Sequence, residues 1–310
     1  MPPPLYDSLT VTLNPAIDRT ITIPDFAAGK VNRVQGETWT AGGKGVNVAS
    51  SLADAGYRVA ATGFLGSEND AIFQKHFARK SITDLFVRIE GETRTGIKIT
   101  DPTNQQTTDI NFAGVSPQAT DLRALRHALD RSDARWFVLS GSLPPDVDPT
   151  IYRDLVMALI SRGRKVALDA SGLPLQHAID ATPTLIKPNI HELSELVGRT
   201  LTTPPEVIEA ARQLLTTGIE TIVISMGGDG ACFVTADETL FARPPAIEIR
   251  TTVGAGDAMV AGLVSAALRG LTLAETARLA TAFSLRAIAA TPPSPGTVDD
   301  FAHDVVVTLV

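Results

Sequence analysis

The 310-residue sequence has one cysteine, Cys232, so no disulfide can form within the chain. Its setting in Ala231-Cys232-Phe233-Val234 predicts a buried strand position. The five histidines, His76, His127, His177, His191 and His303, show no i, i+4 pairing and have no cysteine partners, which argues against a metal site built from imidazole and thiolate. No apolar run approaches the roughly 18 residues of a membrane span. Met1-Pro2-Pro3-Pro4 also lacks the basic and apolar regions of a secretion signal. The expectation is a soluble, cytoplasmic protein. Positive charge is scarce as well: 27 Lys and Arg face 34 Asp and Glu, a net charge of −7. That balance leaves no footprint for nucleic acid or an anionic membrane, so an anionic ligand must be held by local cations. Aromatics make up only 5% of residues, but the 44% hydrophobic content is ample for a large core of Val, Ile, Leu and Ala. No internal repeat or low-complexity segment is present.

Against these absences, Thr252-Val253-Gly254-Ala255-Gly256-Asp257-Ala258-Met259 stands out as a tight glycine turn running into a helix expected to be amphipathic. Gly254 and Gly256 let the backbone bend, and the helix start offers N–H groups to an anion such as a phosphoryl group. A carboxylate beside a bound phosphate is repelled by it. Asp257 therefore suits proton acceptance from an attacking hydroxyl better than anion binding. The same residues also suit a plain turn with a capping Asp. Ala41-Gly42-Gly43-Lys44-Gly45-Val46-Asn47 is a second glycine turn opening a helix. It fails the P-loop pattern, because Gly45 follows Lys44, and it fails the G-x-G-x-x-G dinucleotide fingerprint. A flexible turn with a solvated lysine accounts for it equally well.

In chain order, Leu9–Leu13 reads as a first strand ended by Asn14-Pro15, with Asp18 just beyond it. Short β-prone pieces follow at 20–23 and 31–40, and an alternating hairpin at 95–100 and 107–112. Together, about 19–40 and 88–112 predict a small sheet separate from the main one. From residue 120 onward, near-continuously apolar strands at 136–139, 165–168, 184–186 and 221–224 alternate with helices near 149–162, 172–181, 189–198 and 204–217. This pattern predicts a parallel sheet buried on both faces. Ligands in such sheets bind at the carboxyl ends of the strands, here Ser140–Pro144, Asp169–Gly172, Lys187–Asn189 and Ser225–Gly230. Lys187, Asn189 and Glu192 offer a cation, an amide and a carboxylate suited to phosphate and hydrated Mg²⁺, and Asn189 with Glu192 equally suits a capping box. Arg94 could clamp a phosphate with its planar fork or simply be solvated. A capping box at Thr272–Glu275 opens a helix to about Ala290, which Pro292–Gly296 ends before a last short helix.

The two glycine turns resemble the two signatures of the phosphofructokinase-B family of ribokinase-like sugar kinases. Leu13–Asp18, Ser140–Pro144, Lys187-Pro188-Asn189 with Glu192, and Ser225–Ala231 resemble the family in the same order, over residues 8 to 300. The resemblance implies one kinase domain over 1–310, a three-layer α/β/α sandwich whose mostly parallel central sheet carries a β-sheet lid. It implies ATP and Mg²⁺ as cofactors and a phosphorylated ketohexose as substrate. By the same resemblance, Asp257 is the catalytic base, with Gly254, Ala255 and Gly256 as its anion hole. Asp18, Gly42, Gly43 and Asn47 are sugar contacts, Lys44 and Arg94 lie near the substrate's phosphate, and Lys30 fits a lid position. Lys187, Asn189, Ser225, Gly227 and Gly230 match nucleotide contacts, and Glu192 the acid that organises Mg²⁺. Leu13–Asp18, Gly63–Gly66 and Thr108–Phe112 look most like members acting on fructose 1-phosphate. Gly91–Arg94 also resembles those acting on tagatose 6-phosphate, and members acting on fructose 6-phosphate are a third alternative. A sugar-phosphate sensor without turnover is disfavoured because Asp257, both glycines and Glu192 are present. The apolar face of the lid, Ile21, Ile23, Val31, Val34, Ile97, Ile99, Ile110 and Phe112, predicts a homodimer through the lid.

Overall fold

The structure is a computed structural model describing residues 5–249, 252–290 and 298–310. The prolyl start and the expected helix stop at Pro292–Gly296 lie outside the described residues. The first half of the chain runs β1 (Tyr6–Thr12), β2 (Ala16–Thr22), β3 (Gly36–Gly42), α1 (Lys44–Asp54), β4 (Val59–Gly66), α2 (Ala71–Lys80), β5 (Thr83–Asp84), β6 (Val87–Ile89), β7 (Thr95–Asp101), β8 (Gln106–Asn111), α3 (Ala119–Arg131) and β9 (Ala134–Ser140). It continues with α4 (Ile151–Ile160), β10 (Lys165–Asp169), α5 (Gly172–Ile179), β11 (Leu185–Ile186), α6 (Ile190–Val197), α7 (Pro204–Leu215), β12 (Thr221–Ser225), β13 (Ala231–Val234), β14 (Thr239–Arg243), α8 (Ala255–Arg269), α9 (Leu273–Ile288), α10 (Val298–Asp304) and β15 (Val306–Leu309).

Eleven strands among the described residues form the main sheet, in the order β15-β14-β13-β12-β11-β10-β9-β1-β4-β5, with β6 also paired to β4. Pairing is parallel from β12 through β5 and antiparallel from β12 out to β15. The continuous apolar runs are those of strands covered on both faces. In β9, Phe137 and Leu139 join a core with α3 to α7, while Trp136 and Val138 join a second core with α1, α2, α8 and α9. The period of two in a strand divides one run between two helical layers. This is the expected α/β/α sandwich, and Cys232 is buried within it.

Three expectations need correction. The helix after the glycine turn is not amphipathic: every residue of α8 from Asp257 to Ala266 is buried, because the helix is flanked by α1 and α9 and meets the sheet at β10. Gly262 permits that approach, since a Cβ there would stand 2.6 Å from the Ala280 Cα. The chain closes not on a helix but on β15, a polar and apolar edge strand paired with β14. Strands this short carry weak periodicity, so neither β14, of five residues, nor β15, of four, stood out in sequence. Lastly, 31–35 is loop held by Asn32 to Ala27, and Val87–Ile89 belongs to the main sheet.

The second sheet has the order β3-β2-β7-β8. Its apolar set divides: Ile23 and Ile99 are buried by the chain itself, whereas Val31, Val34, Trp39, Ile110 and Phe112 are exposed. No helix among the described residues is long and apolar enough to cross a membrane.

Candidate active site

Gly254 caps α8 in the left-handed region, φ 84°, where a side chain would be strained. The turn is fixed from α9 by the Ser284 hydroxyl, which donates to the Ala255 carbonyl at 2.8 Å. Helix geometry leaves the first N–H groups of α8 without intrahelical acceptors, and they form the positive end of the helix dipole. Two residues on, Asp257 is only 7% exposed and accepts a 2.8 Å bond from Asn47 Nδ2 of α1. Burial, reinforced by the negative charge of Asp169, pushes the Asp257 carboxyl up to about 6, although Asn47, Lys44 and Lys187 pull the other way. It is thus an anion at neutral pH with proton affinity well above that of a surface aspartate. Those are the properties of a general base.

Asp169, at the carboxyl end of β10, is 1% exposed and lies 3.4 Å from both Lys44 Nζ and Lys187 Nζ. Burial alone would raise its carboxyl. The two ammonium groups overturn that and hold it below the usual carboxylate range. Lys44 keeps its proton more tightly than usual despite burial, because Asp169, Asp257 and Glu192 all act on it. A Cβ at Gly256 would come 3.5 Å from Lys187 Nζ, so the glycine turn and this lysine enclose one space. Lys44, Asn47, Lys187, Gly254, Ala255, Gly256 and Asp257 are therefore brought together from two helices, the turn that caps α8 and the segment just after β11.

On the second sheet, Asp18 accepts a 2.8 Å bond from Lys98 Nζ. It lies within β2, paired to Thr40 and Gly96, so the second sheet begins a few residues before the expected bound near residue 19. A Cβ on Gly42 would lie 2.5 Å from Asp18 Oδ2, so glycine is needed for the carboxylate to lie over the end of β3. Gly43 caps α1 at φ 113°, and a Cβ there would press on Pro15 and Thr12. Arg94 lines an open cleft of about 440 Å³ with Glu92, Thr93 and Phe112. Its guanidinium already donates to the carbonyls of Asn14, Pro15 and Phe112. Lys30 lies in the exposed loop between β2 and β3, where its backbone carbonyl accepts from Asn32.

At the ends of β11 and β12, Asn189 caps α6: its side chain accepts from the His191 and Glu192 N–H groups at 2.9 Å. Glu192 Oε2 accepts from the Asn189 N–H at 2.8 Å, completing the capping box. The bridge between Asn189 and Ser225 places the two sequence segments side by side. Gly227 and Gly230, with φ 60° and 95°, close the 3-10 turn between β12 and β13. Among the described residues no group of three or more His, Cys, Asp and Glu side chains could hold a metal ion. One carboxylate with an uncommitted oxygen instead fits Mg²⁺, which keeps most of its water and leans on substrate phosphates.

Asp169 joins the site without having been singled out, although its place at the carboxyl end of an expected parallel strand was the available signal. Lys98, the partner of Asp18, carried none beyond its alternating place in β7.

An α/β/α sandwich with a side sheet, a buried carboxylate at a glycine-capped helix and two lysines across from it define a phosphoryl-transfer fold. Residues 9–294 match the pfkB family carbohydrate kinases, and the chain belongs to that family of phosphotransferases. Among curated relatives, the 1-phosphofructokinase of Rhodobacter capsulatus is 50% identical over 282 residues, 90% of this chain and 89% of that protein. That of Escherichia coli (strain K12) is 38% identical over 285 residues, 90% of each chain. Among solved structures, phosphofructokinase-2 of Escherichia coli with potassium has a TM-score of 0.90 at 26% identity, covering 96% of this chain and 99% of that one. A protein described as "Possible 1-phosphofructokinase" from Thermotoga maritima has a TM-score of 0.86 at 31% identity, covering 98% of this chain and 99% of that one.

Proposed function

We propose that this protein is a 1-phosphofructokinase: it transfers the γ-phosphoryl of ATP to the C6 hydroxyl of fructose 1-phosphate, giving fructose 1,6-bisphosphate and ADP. The observation that carries the reading is the buried Asp257, bonded to Asn47 and set at the N-terminus of α8 across from Lys44 and Lys187. Asp257 takes the hydroxyl proton as the sugar oxygen attacks the γ-phosphorus, and ADP leaves with the electrons of the broken P–O bond. The N–H groups from Gly254 to Gly256 and the ammonium of Lys187 stabilise the charge on the transferring group. Asp18, Gly42, Gly43 and Asn47 orient the sugar, and Lys44 and Arg94 receive its phosphate, with Lys30 approaching from the second sheet. Asn189, Ser225, Gly227 and Gly230 hold the nucleotide. Mg²⁺, organised by Glu192, would neutralise the nucleotide phosphates. The second sheet acts as a lid that excludes water.

The exposed Val31, Val34, Trp39, Ile110 and Phe112 on that lid support a homodimer in which two lids cover each other. One solved relative, phosphofructokinase-2 of Escherichia coli, is described in a tetrameric inhibited form. The substrate reading is tested by coupled ADP release with fructose 1-phosphate, fructose 6-phosphate, tagatose 6-phosphate and free ketoses. The expected result is the highest kcat/KM on fructose 1-phosphate and weak use of free fructose. A preference of roughly tenfold or more for tagatose 6-phosphate would overturn the assignment.

A further inference from the structure

Asn14 has no part in the chemistry above, yet it is 7% exposed and its side chain is committed. Its amide nitrogen donates to the Ala113 carbonyl at 3.0 Å and the Leu143 carbonyl at 3.1 Å, with Ser142 Oγ at 3.4 Å. The backbone carbonyl of Asn14 accepts from Arg94 Nη2 at 3.1 Å, while Arg94 Nε and Nη1 reach the backbone carbonyls of Pro15 at 3.3 Å and Phe112 at 3.0 Å. The chain passes between the main sheet and the second sheet at Pro15, at Gly42–Gly43, at Arg94 and at Phe112–Gly114. Two side chains thus tie three of these crossings to one another and to the turn after β9. Gly114 completes the arrangement: at φ 101° a Cβ would stand 2.3 Å from Asn14 Oδ1.

A guanidinium carries five N–H groups. The three carbonyl bonds leave one N–H on each Nη atom, and Arg94 borders the 440 Å³ cleft. We infer that Asn14 is a positioning residue for the hinge: its side chain fixes the segment at Ala113, next to the Phe112 carbonyl that Arg94 bonds, and so holds that acceptor in place for Arg94 and lets arrival of the substrate's phosphate at Arg94 pass to the second sheet as closure. The inference rests on the placement of the sugar phosphate at Arg94 given under Proposed function. Its physical basis is that the phosphate and the hinge carbonyls share one planar donor group. Rotating the guanidinium toward either must strain its bonds to the other.

The test uses the full chain with Asn14→Ala, Asn14→Asp and Gly114→Ala. Asn14→Asp keeps the shape and turns a donor into an acceptor facing two carbonyls, so it reports the hinge even if Asn14→Ala fails to fold. Two ratios are read beside Tm: KM for fructose 1-phosphate against KM for ATP, and ADP released against bisphosphate formed. The expected outcome is a rise of roughly tenfold in the sugar-phosphate KM, an unchanged ATP KM, and more ADP than bisphosphate because an unlatched lid admits water. A merely structural role would lower Tm while leaving ADP and bisphosphate equal, and that result overturns the inference. An equal rise in both KM values overturns it too. If the unmodified enzyme prefers another ketohexose phosphate, the substrate assignment falls, and the same ratios on that substrate still decide the hinge.

Discussion

Replacing Asp257 by Asn should cut turnover severely and stabilise the fold, two effects that a structural aspartate would not show together. The carboxyl is raised from an ordinary 3.8 to about 6, chiefly by burial and then by Asp169. Below 3.8 the group is protonated in both folded and unfolded chains and its ionisation has no effect on stability. Between 3.8 and about 6 the folded chain binds the extra proton, so stability falls as pH rises, and above 6 the loss is complete. A shift of about two units corresponds to about 3 kcal/mol at pH 8, of which about half remains at pH 5. Asn keeps an acceptor for Asn47 Nδ2, so the 2.8 Å bond need not be lost. With an unfolding entropy of about 2 cal/mol/K per residue, the variant should melt about 5 °C higher at pH 8. The advantage should shrink toward zero as pH approaches 4. Differential scanning calorimetry across pH 4 to 8 measures this, beside a coupled assay expected to show a kcat loss of about 10² to 10⁴. A variant less stable than the unmodified protein at pH 8, or one whose advantage does not depend on pH, would refute the buried-base reasoning.

Because Asp257 must be ionised to accept a proton, kcat/KM should fall with unit slope as pH drops through about 6; a profile flat to pH 5 contradicts this. Gly42→Ala should displace Asp18, since its Cβ would lie 2.5 Å from that carboxylate, raising KM for sugar phosphate with little change in KM for ATP. Arg94→Lys keeps a charge but loses the fork, and should raise the sugar-phosphate KM by an amount equivalent to about 1.5 to 3 kcal/mol; an unchanged KM removes Arg94 from the substrate site. Ile110→Asp, on the exposed face of the second sheet, should convert dimers to monomers at micromolar concentration. Sedimentation of the unmodified protein as a fully active monomer would remove the dimer.

Much of the architecture was local enough to be legible in the chain. Strand runs such as Phe137-Val138-Leu139 are apolar on both faces because both are covered. The capping boxes at Asn189–Glu192 and Thr272–Glu275 satisfy helix-end N–H groups within four residues. The glycine turn at Gly254 needs its left-handed φ whatever surrounds it. Periodicity, caps and turn chemistry act over one or two helical turns, and so they are written in consecutive residues. The chemistry of the site is not local. Asn47 meets Asp257 across 210 residues, and Asp169 meets Lys44 across 125. Desolvation and charge act through space, so only the packed sheet and α8 could decide that Asp257 is buried and raised. The same holds for Asp169, which burial opposes and the two lysines keep charged. It holds as well for Arg94, whose donors turn inward to the hinge carbonyls because β2, β7 and β8 leave the main sheet side by side.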